Sequence, residues 1–330
     1  MSHHRRSHGQ LTRAATLLIL LSVGMPAMAS AKAGCSSADA RTPATPAENA
    51  CKLTPLTASA SYLYQTLDFP GASQTIFWGI NDFGELAGQY SLPGNAAHAM
   101  TYRHGRFEPL DPGVLGTYFS AAGGPDDTGS TFGAYADATG VQHGFTIRQG
   151  HFETVDFPGH LNSNVDAISP FGTILGVYWD ADGAFHGILR RYGSDTPINV
   201  AGARDTYPLG LNNKGESVGY WDTNPLVPHG FYRAANGQLS TIDVPDAAST
   251  ATFAINDRGQ IAGYYASASG AIHGFVKTRS QFQDIDVPGA IATIATTINN
   301  LGTVAGEYFD TAGKRHGFIA TPVGTNQRHR

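Results

Sequence analysis

The chain has 330 residues, of which 40 are glycine and only 14% are charged, with a formal net charge of −5. Ordinary proteins carry roughly 7% glycine and about 25% charged residues, so a coiled coil, a collagen-like chain and a charge-rich disordered chain are all excluded. A hydrophobic content of 41%, with 14 Tyr and 17 Phe, favours a packed core of strands joined by tight turns. Basic residues form no run apart from Arg328 and Arg330 in the tail. Nucleic acid and anionic membrane surfaces are therefore not expected partners.

The first segment, residues 1–29, has the three-part plan of a secretory signal peptide. Arg5, Arg6 and Arg13 lead into the apolar run Ala14–Met25, followed by Pro26 and the small-residue stretch Ala27-Met28-Ala29. This apolar run is shorter than the roughly 20 residues that a spanning helix needs, so the mature chain is expected to be secreted or periplasmic, without membrane insertion. Residues 30–61 read as an Ala/Thr/Pro/Ser-rich linker that holds Cys35 and Cys51. In an oxidising compartment these two cysteines can form a disulfide. Ala33-Gly34-Cys35 also fits the end of a lipidation motif, although Lys32 stands where an aliphatic residue belongs; both alternatives stay open.

From residue 62 onward the sequence repeats. His-Gly-Phe occurs at His143, His229, His273 and His316, with variants at His98 and His186; the six histidines are spaced 45, 43, 43, 44 and 43 residues apart. We number the repeats one to six by these histidines. Asn-Asp-x-Gly or Asn-Asn-x-Gly begins at Asn81, Asn212, Asn256 and Asn299, and Asp126–Gly129 and Ser169–Gly172 fill the same slot in repeats two and three. Four residues past each turn glycine comes another glycine (Gly88, Gly133, Gly176, Gly219, Gly263, Gly306), and two further on an aromatic (Tyr90, Tyr135, Tyr178, Trp221, Tyr265, Tyr308). A third marker, Asp-Phe/Val-Pro, starts at Asp68, Asp156, Asp243 and Asp286, with Asp111 and Asn199 in degenerate versions.

These markers resemble the HAF-type extracellular repeat of exported bacterial proteins, over about Tyr62 to Thr321. The resemblance implies export and a repeated β-structure; it carries no established activity.

Within repeat five, Thr250–Ile255 reads as a strand, Asn256–Gly259 as a hairpin turn and Gln260–Tyr265 as a second strand. His273–Lys277 and Gln281–Val287 supply the third and fourth strands, and Pro288-Gly289 crosses to the next copy. Four antiparallel strands in about 44 residues match a propeller blade. The expected fold class is therefore all-β, a six-bladed β-propeller over residues 62–321, followed by a disordered tail, 322–330. The first strand of each copy is expected innermost. The last copy lacks a fourth strand, while Gln65–Asp68 precedes the first copy as an orphan, so an N-terminal outer strand should close the ring and remove exposed edges. A β-sandwich or open solenoid is the alternative.

Six histidines on a ring are too far apart to bind one metal, whose ligands lie about 2 Å from it, so neither metal nor cofactor is expected. Each histidine should instead join a hydrogen-bonded network with an Asp that ends strand four and a Thr or Ser that starts strand one. The expected pairs are His98–Asp111, His143–Asp156, His186–Asn199, His229–Asp243, His273–Asp286 and His316–Asp68. Asp180–Gly183 resembles the start of a calcium loop but lacks the distal Glu, and reads as a hairpin turn.

No nucleophile elbow, zinc-protease motif or phosphate-binding glycine loop occurs in the sequence. A specific ligand needs a place where the ring is not equivalent, and repeats three and four depart most. The expected ligand-binding residues are Asn162, Asn164, Asp166, Trp179, Arg204, Asp205 and Tyr207, grouped where strand four crosses to strand one, with Trp179 exposed as a platform. The expected function is a monomeric, non-catalytic binding or scaffold propeller for a polar ligand such as a polysaccharide, or for a protein partner. The alternative is a hydrolase or lyase acting on a polar polymer, with Asp166 and Asp205 as the acid/base pair.

Overall fold

The computed structural model describes residues 54–55, 61–110, 119–179, 181, 183–223 and 227–324. The signal segment, both cysteines, Asp111, Asp180 and Asp182 lie outside the described residues. The chain divides into two units, Met1–Ala50 and Cys51–Arg330, and every described strand belongs to the second.

Every described element is a β-strand. β1 (Thr54–Pro55) and β2 (Tyr62–Thr66) precede the repeats. Repeat one holds β3 (Gln74–Ile80), β4 (Leu86–Ser91), β5 (Ala97–Arg103) and β6 (Arg106–Pro109); repeat two holds β7 (Phe119–Gly123), β8 (Thr131–Ala136), β9 (Gln142–Arg148) and β10 (His151–Val155). Repeat three holds β11 (Asn162–Ile168), β12 (Ile174–Trp179), β13 (Phe185–Arg191) and β14 (Ser194–Ile198). Repeat four holds β15 (Asp205–Leu211), β16 (Ser217–Asp222), β17 (His229–Arg233) and β18 (Leu239–Ile242). Repeat five holds β19 (Ser249–Ile255), β20 (Ile261–Ala266), β21 (Ile272–Thr278) and β22 (Gln281–Ile285), and repeat six holds β23 (Ala292–Ile298), β24 (Val304–Phe309) and β25 (Arg315–Pro322).

Repeats two, three and four each form a separate four-stranded antiparallel sheet. The strands of repeats one, five and six belong to one larger mixed sheet, linked by single parallel bridges at Ile272–Ala292 and Arg315–Gln74. β2 pairs antiparallel with β25, from Tyr62–Pro322 to Thr66–Phe318.

Three repeated features explain the sequence markers. The Phe of His-Gly-Phe is core: Phe145, Phe231, Phe275 and Phe318 are all buried, each burial contributing about 1.5–3 kcal/mol. The first strands of five repeats carry a β-bulge, at Trp78, Asp166, Leu209, Phe253 and Thr296. Opposite each of these bulges lies the strand-two glycine. A Cβ on Gly219 would sit 1.9 Å from Tyr207 O, and one on Gly263 2.2 Å from Ala251 O. The glycine is required because the first strand's backbone occupies the space of a side chain.

The histidine marker is built differently from expectation. The His–Asp bonds form at His143–Asp156 (3.1 Å), His229–Asp243 (3.0 Å), His273–Asp286 (2.8 Å) and His316–Asp68 (2.6 Å). No such bond joins His186 to Asn199 among the described residues, and His98–Asp111 lies outside them. The Thr/Ser arm is a correction. Thr75, Ser163, Thr206, Thr250 and Thr293 accept the backbone N–H of the residue that follows the marker Asp or Asn, and Ser120 accepts that of Ala99. A backbone amide at the crossing cannot reach a ladder partner, so it takes the hydroxyl first. The repeat aromatic lies over the imidazole instead, as in Trp221–His229, with ring centroids 4.8 Å apart at 25°.

Candidate functional site

At the crossing end, β15 begins with Asp205, which pairs in register with Asp222 at the end of β16. Both side chains are buried. Asp205 Oδ1 accepts the Phe185 N–H at 2.9 Å, and Arg204 Nη1 donates to Asp205 Oδ2 at 2.5 Å. Arg204 keeps its side chain 40% exposed, so one end of the ion pair meets solvent. Asp222 is pushed up to about 7, first by burial, then by repulsion and hydrogen bonding from Asp205, against a lowering by Arg204. Two adjacent buried carboxyls with one cation cannot both ionise cheaply, so the pair favours holding one proton.

An aromatic row runs beside this pair. Trp179 contacts Phe185 (5.2 Å), Phe185 contacts Tyr207 (5.0 Å), Tyr207 contacts Tyr220 (4.6 Å), and Tyr220 is 6.2 Å from Phe253. Burial raises the hydroxyl pKa of Tyr207 and Tyr220, and pushes Tyr264 up to about 12, so all three are neutral hydrogen-bonding groups near neutral pH. Trp179 is only 5% exposed. The expected exposed platform is absent at that position because its indole fills the space against Phe185.

Repeat three supplies the remaining expected residues. Asn162 is buried, and its Oδ1 accepts the Gln142 N–H at 3.1 Å, the same task that Asp205 performs one repeat later. Asn164 Nδ2 donates to Asp166 Oδ1 at 2.6 Å. Asp166 is the bulged residue of β11, and its Oδ2 is enclosed without a hydrogen-bond partner. Burial raises its pKa well above the carboxylate range. Tyr220 lies within electrostatic reach of Asp166, Asp205 and Asp222 together, so residues far apart in sequence converge on one tyrosine.

Asp166 also lines a cavity of about 170 Å³ that the bulge residues Trp78 and Phe253 share, room for roughly six waters. Its mouth is formed by the Asn-Asp-x-Gly turns, at the opposite end of the first strands from Asp205. These turns are hydrogen-bonded to one another. Asn212 Nδ2 donates to Asn256 O (3.2 Å), Asn256 Nδ2 to Asn299 O (2.9 Å), Asn299 Nδ2 to Asn81 O (2.9 Å) and Asn81 Nδ2 to Asp126 O (3.4 Å). One residue on, the N–H groups of Asn213, Asp257, Asn300 and Asp82 donate to the side chains of Asp257, Asn300, Asp82 and Asp127. The series stops at repeat three, whose turn is Ser169-Pro170: proline has no N–H and no side-chain acceptor.

Sequence reasoning missed three groups. Asp222 could have been found by counting outward from the Asn212 turn, which sets it opposite Asp205. Glu307 and Arg315 form a buried ion pair at 2.8 Å, where desolvation raises the Glu307 pKa against the lowering by Arg315. The turn-to-turn bonds could have been suspected from the Asp or Asn that fills the second turn position in every repeat except the third. Among the described residues, no three His, Cys, Asp or Glu side chains converge as a metal site, and no helix is long and apolar enough to cross a membrane.

No protein-family model and no curated protein matches the chain. Solved structures do match in fold. A gluconolactonase from Xanthomonas campestris is 13% identical, with 84% of this chain and 99% of that chain covered at a TM-score of 0.50. A six-bladed β-propeller fucose lectin from Aleuria aurantia is 10% identical, with 72% of this chain and 95% of that chain covered at 0.46. TolB from Acinetobacter baumannii is 12% identical, with 72% of this chain and 64% of that chain covered at 0.48. At 13% identity the likeness to the gluconolactonase is one of fold alone.

Proposed function

We infer that the chain is an exported, six-bladed propeller of HAF-type repeats that binds a polar, hydroxyl-rich ligand, of the glycan class, at the crossing end of repeats three and four. The six-bladed reading rests on six in-phase repeats. Ring closure rests on the β2–β25 pairing and on bonds from repeat six back to repeat one, such as Thr296 Oγ1 to Phe77 O. Export rests on the character of residues 1–29.

The observation that carries the binding role is the Arg204–Asp205–Asp222 group beside the Tyr207–Tyr220 pair. Its accessible group is the partly exposed Arg204 guanidinium, a donor for a polyol hydroxyl, oriented by the buried Asp205 carboxylate and backed by the buried Asp222 and Tyr207 side chains. Asn162 and Asn164 hold the adjoining strand through their bonds to Gln142 and Asp166. A catalytic role is the second reading, favoured by one observation. Asp222, pushed up to about 7 next to Asp205, has the protonation range of a general acid.

The two roles separate in one experiment. The purified mature chain is applied to a glycan array, and any bound glycan is then incubated with it and examined for products. Retained glycan that stays intact, with binding lost in Arg204→Ala and Asp222→Asn, supports the binding role. Cleavage that disappears in Asp222→Asn supports the enzyme. No retention and no cleavage would sink both.

A further inference from the structure

In every repeat, strand two carries one residue between its glycine and its aromatic. In repeats one, two, three and six this residue is Gln89, Ala134, Val177 and Glu307, and all four are buried. In repeats four and five it is Tyr220 and Tyr264, and both keep part of their surface accessible. Two neighbouring repeats therefore depart together, next to the crossing-end group.

The departure builds one wall. Tyr220 pairs in register with Tyr207, their ring centroids 4.6 Å apart, and Phe253 stands between the two tyrosines of the slot, 6.2 Å from Tyr220 and 5.8 Å from Tyr264. Tyr220 and Tyr264 both lie within electrostatic reach of Asp222, whose Oδ1 is enclosed without a hydrogen-bond partner. Among the described residues, no hydrogen bond engages either tyrosine hydroxyl. Phe at both positions would serve packing alone, and a tyrosine set among protein groups ordinarily finds its hydroxyl a partner. These two hydroxyls are left for a guest.

The surrounding charges define its class. Among the described residues, the charged groups in reach of Tyr207, Tyr220 and Tyr264 are three carboxyls, Asp166, Asp205 and Asp222, and one cation, Arg204. Arg204 is already paired with Asp205, so an anionic ligand would meet carboxyls and no unpaired cation. A cationic ligand would need ionised carboxylates, whereas burial favours the protonated form of Asp166 and Asp222. Tyrosine hydroxyls and protonated carboxyls each donate and accept, as sugar hydroxyls do. Resting on the binding role inferred above, we propose that Tyr220 and Tyr264 set the specificity of the crossing-end site, selecting uncharged sugars over acidic ones by bonding their hydroxyls to those of the ligand.

The test uses the purified mature chain on an array that carries neutral oligosaccharides beside uronate- and sialate-containing ones. Retention is expected on neutral members. Tyr220→Phe and Tyr264→Phe keep the rings, and each should weaken binding to the retained glycan by about threefold to tenfold, the scale of a neutral hydrogen bond, without lowering the melting temperature. Equal or preferential retention of acidic members, undiminished binding in either variant, or a lower melting temperature in either would each overturn this inference. The crossing-end reading still stands in those cases if Arg204→Ala abolishes retention. No retention of any glycan overturns both.

Discussion

Asn300, in the last Asn-Asn-x-Gly turn, donates its backbone N–H and its side-chain amide to Asp82 in the first turn, at 2.7 and 3.1 Å across 218 residues of chain. The two ends of the repeat array are held together by hydrogen bonds that the other turns use between neighbours. Asp82→Ala removes both acceptors at once. It should destabilise the chain by about 1–3 kcal/mol, the cost of leaving part-buried donors unpaired. Urea unfolding checks this, and an unchanged midpoint would show that the contact contributes nothing.

Asp222 makes stability depend on pH in a defined direction. Its pKa in the folded chain is about 7, against roughly 3.9 for a free Asp. The folded chain therefore holds this proton more tightly than the unfolded chain does. The stabilisation is full below about pH 4 and is lost as the pH rises through about 7. We expect a loss of about 1–3 kcal/mol over that range, smaller than the full shift implies because Arg204 and solvent relax around the charge. Asp222→Asn, which mimics the protonated group, should flatten that part of the profile. Identical profiles for the two proteins in urea unfolding at a series of pH values would contradict the assignment.

The histidine positions are not equivalent. His273 bonds Asp286 at 2.8 Å and faces Tyr265 at 5.1 Å, whereas His186 has the aromatic contact with Tyr178 and no Asp at the marker position. His273→Ala should cost about 1–2 kcal/mol and His186→Ala about half of that, since only the first loses a charged-acceptor hydrogen bond. Thermal unfolding of both variants tests the order, and the reverse order would remove the Asp from the account. Neither change should alter ligand specificity at repeats three and four.

Gly263→Ala places a methyl group 2.2 Å from Ala251 O and 2.9 Å from the Phe275 ring. Both obstacles sit in the core of the sheet, so the backbone of β19 or β20 must shift. A cost of about 3 kcal/mol or more is expected, at the severe end for a single substitution. Gly270→Ala, in a turn with open space around its Cβ position, faces only the penalty of its positive φ of 84° and should be milder. Equal melting temperatures for the two variants would refute the crowding argument.

The sequence by itself determined the strands, because period, turn chemistry and core pattern are local properties written into each of six copies. It marked Gly219 and its equivalents, the core Phe of His-Gly-Phe, and the His–Asp bonds at repeats two, four, five and six. It also singled out Asp166, Arg204, Asp205 and Tyr207 as departures. Tertiary structure decided what those departures do. Whether Trp179 is a platform or a filler depended on Phe185 in a neighbouring strand, and Asp205 gained its meaning from Asp222 across the sheet. Asp166 turned toward the cavity because a bulge, invisible to strict alternation, reset the direction of its side chain. The turn-to-turn bonds left only a hint in the sequence, the Asp or Asn at the second turn position, since an Asn-Asp-x-Gly motif closes its own hairpin in any setting and shows its second partner only when another repeat is packed beside it.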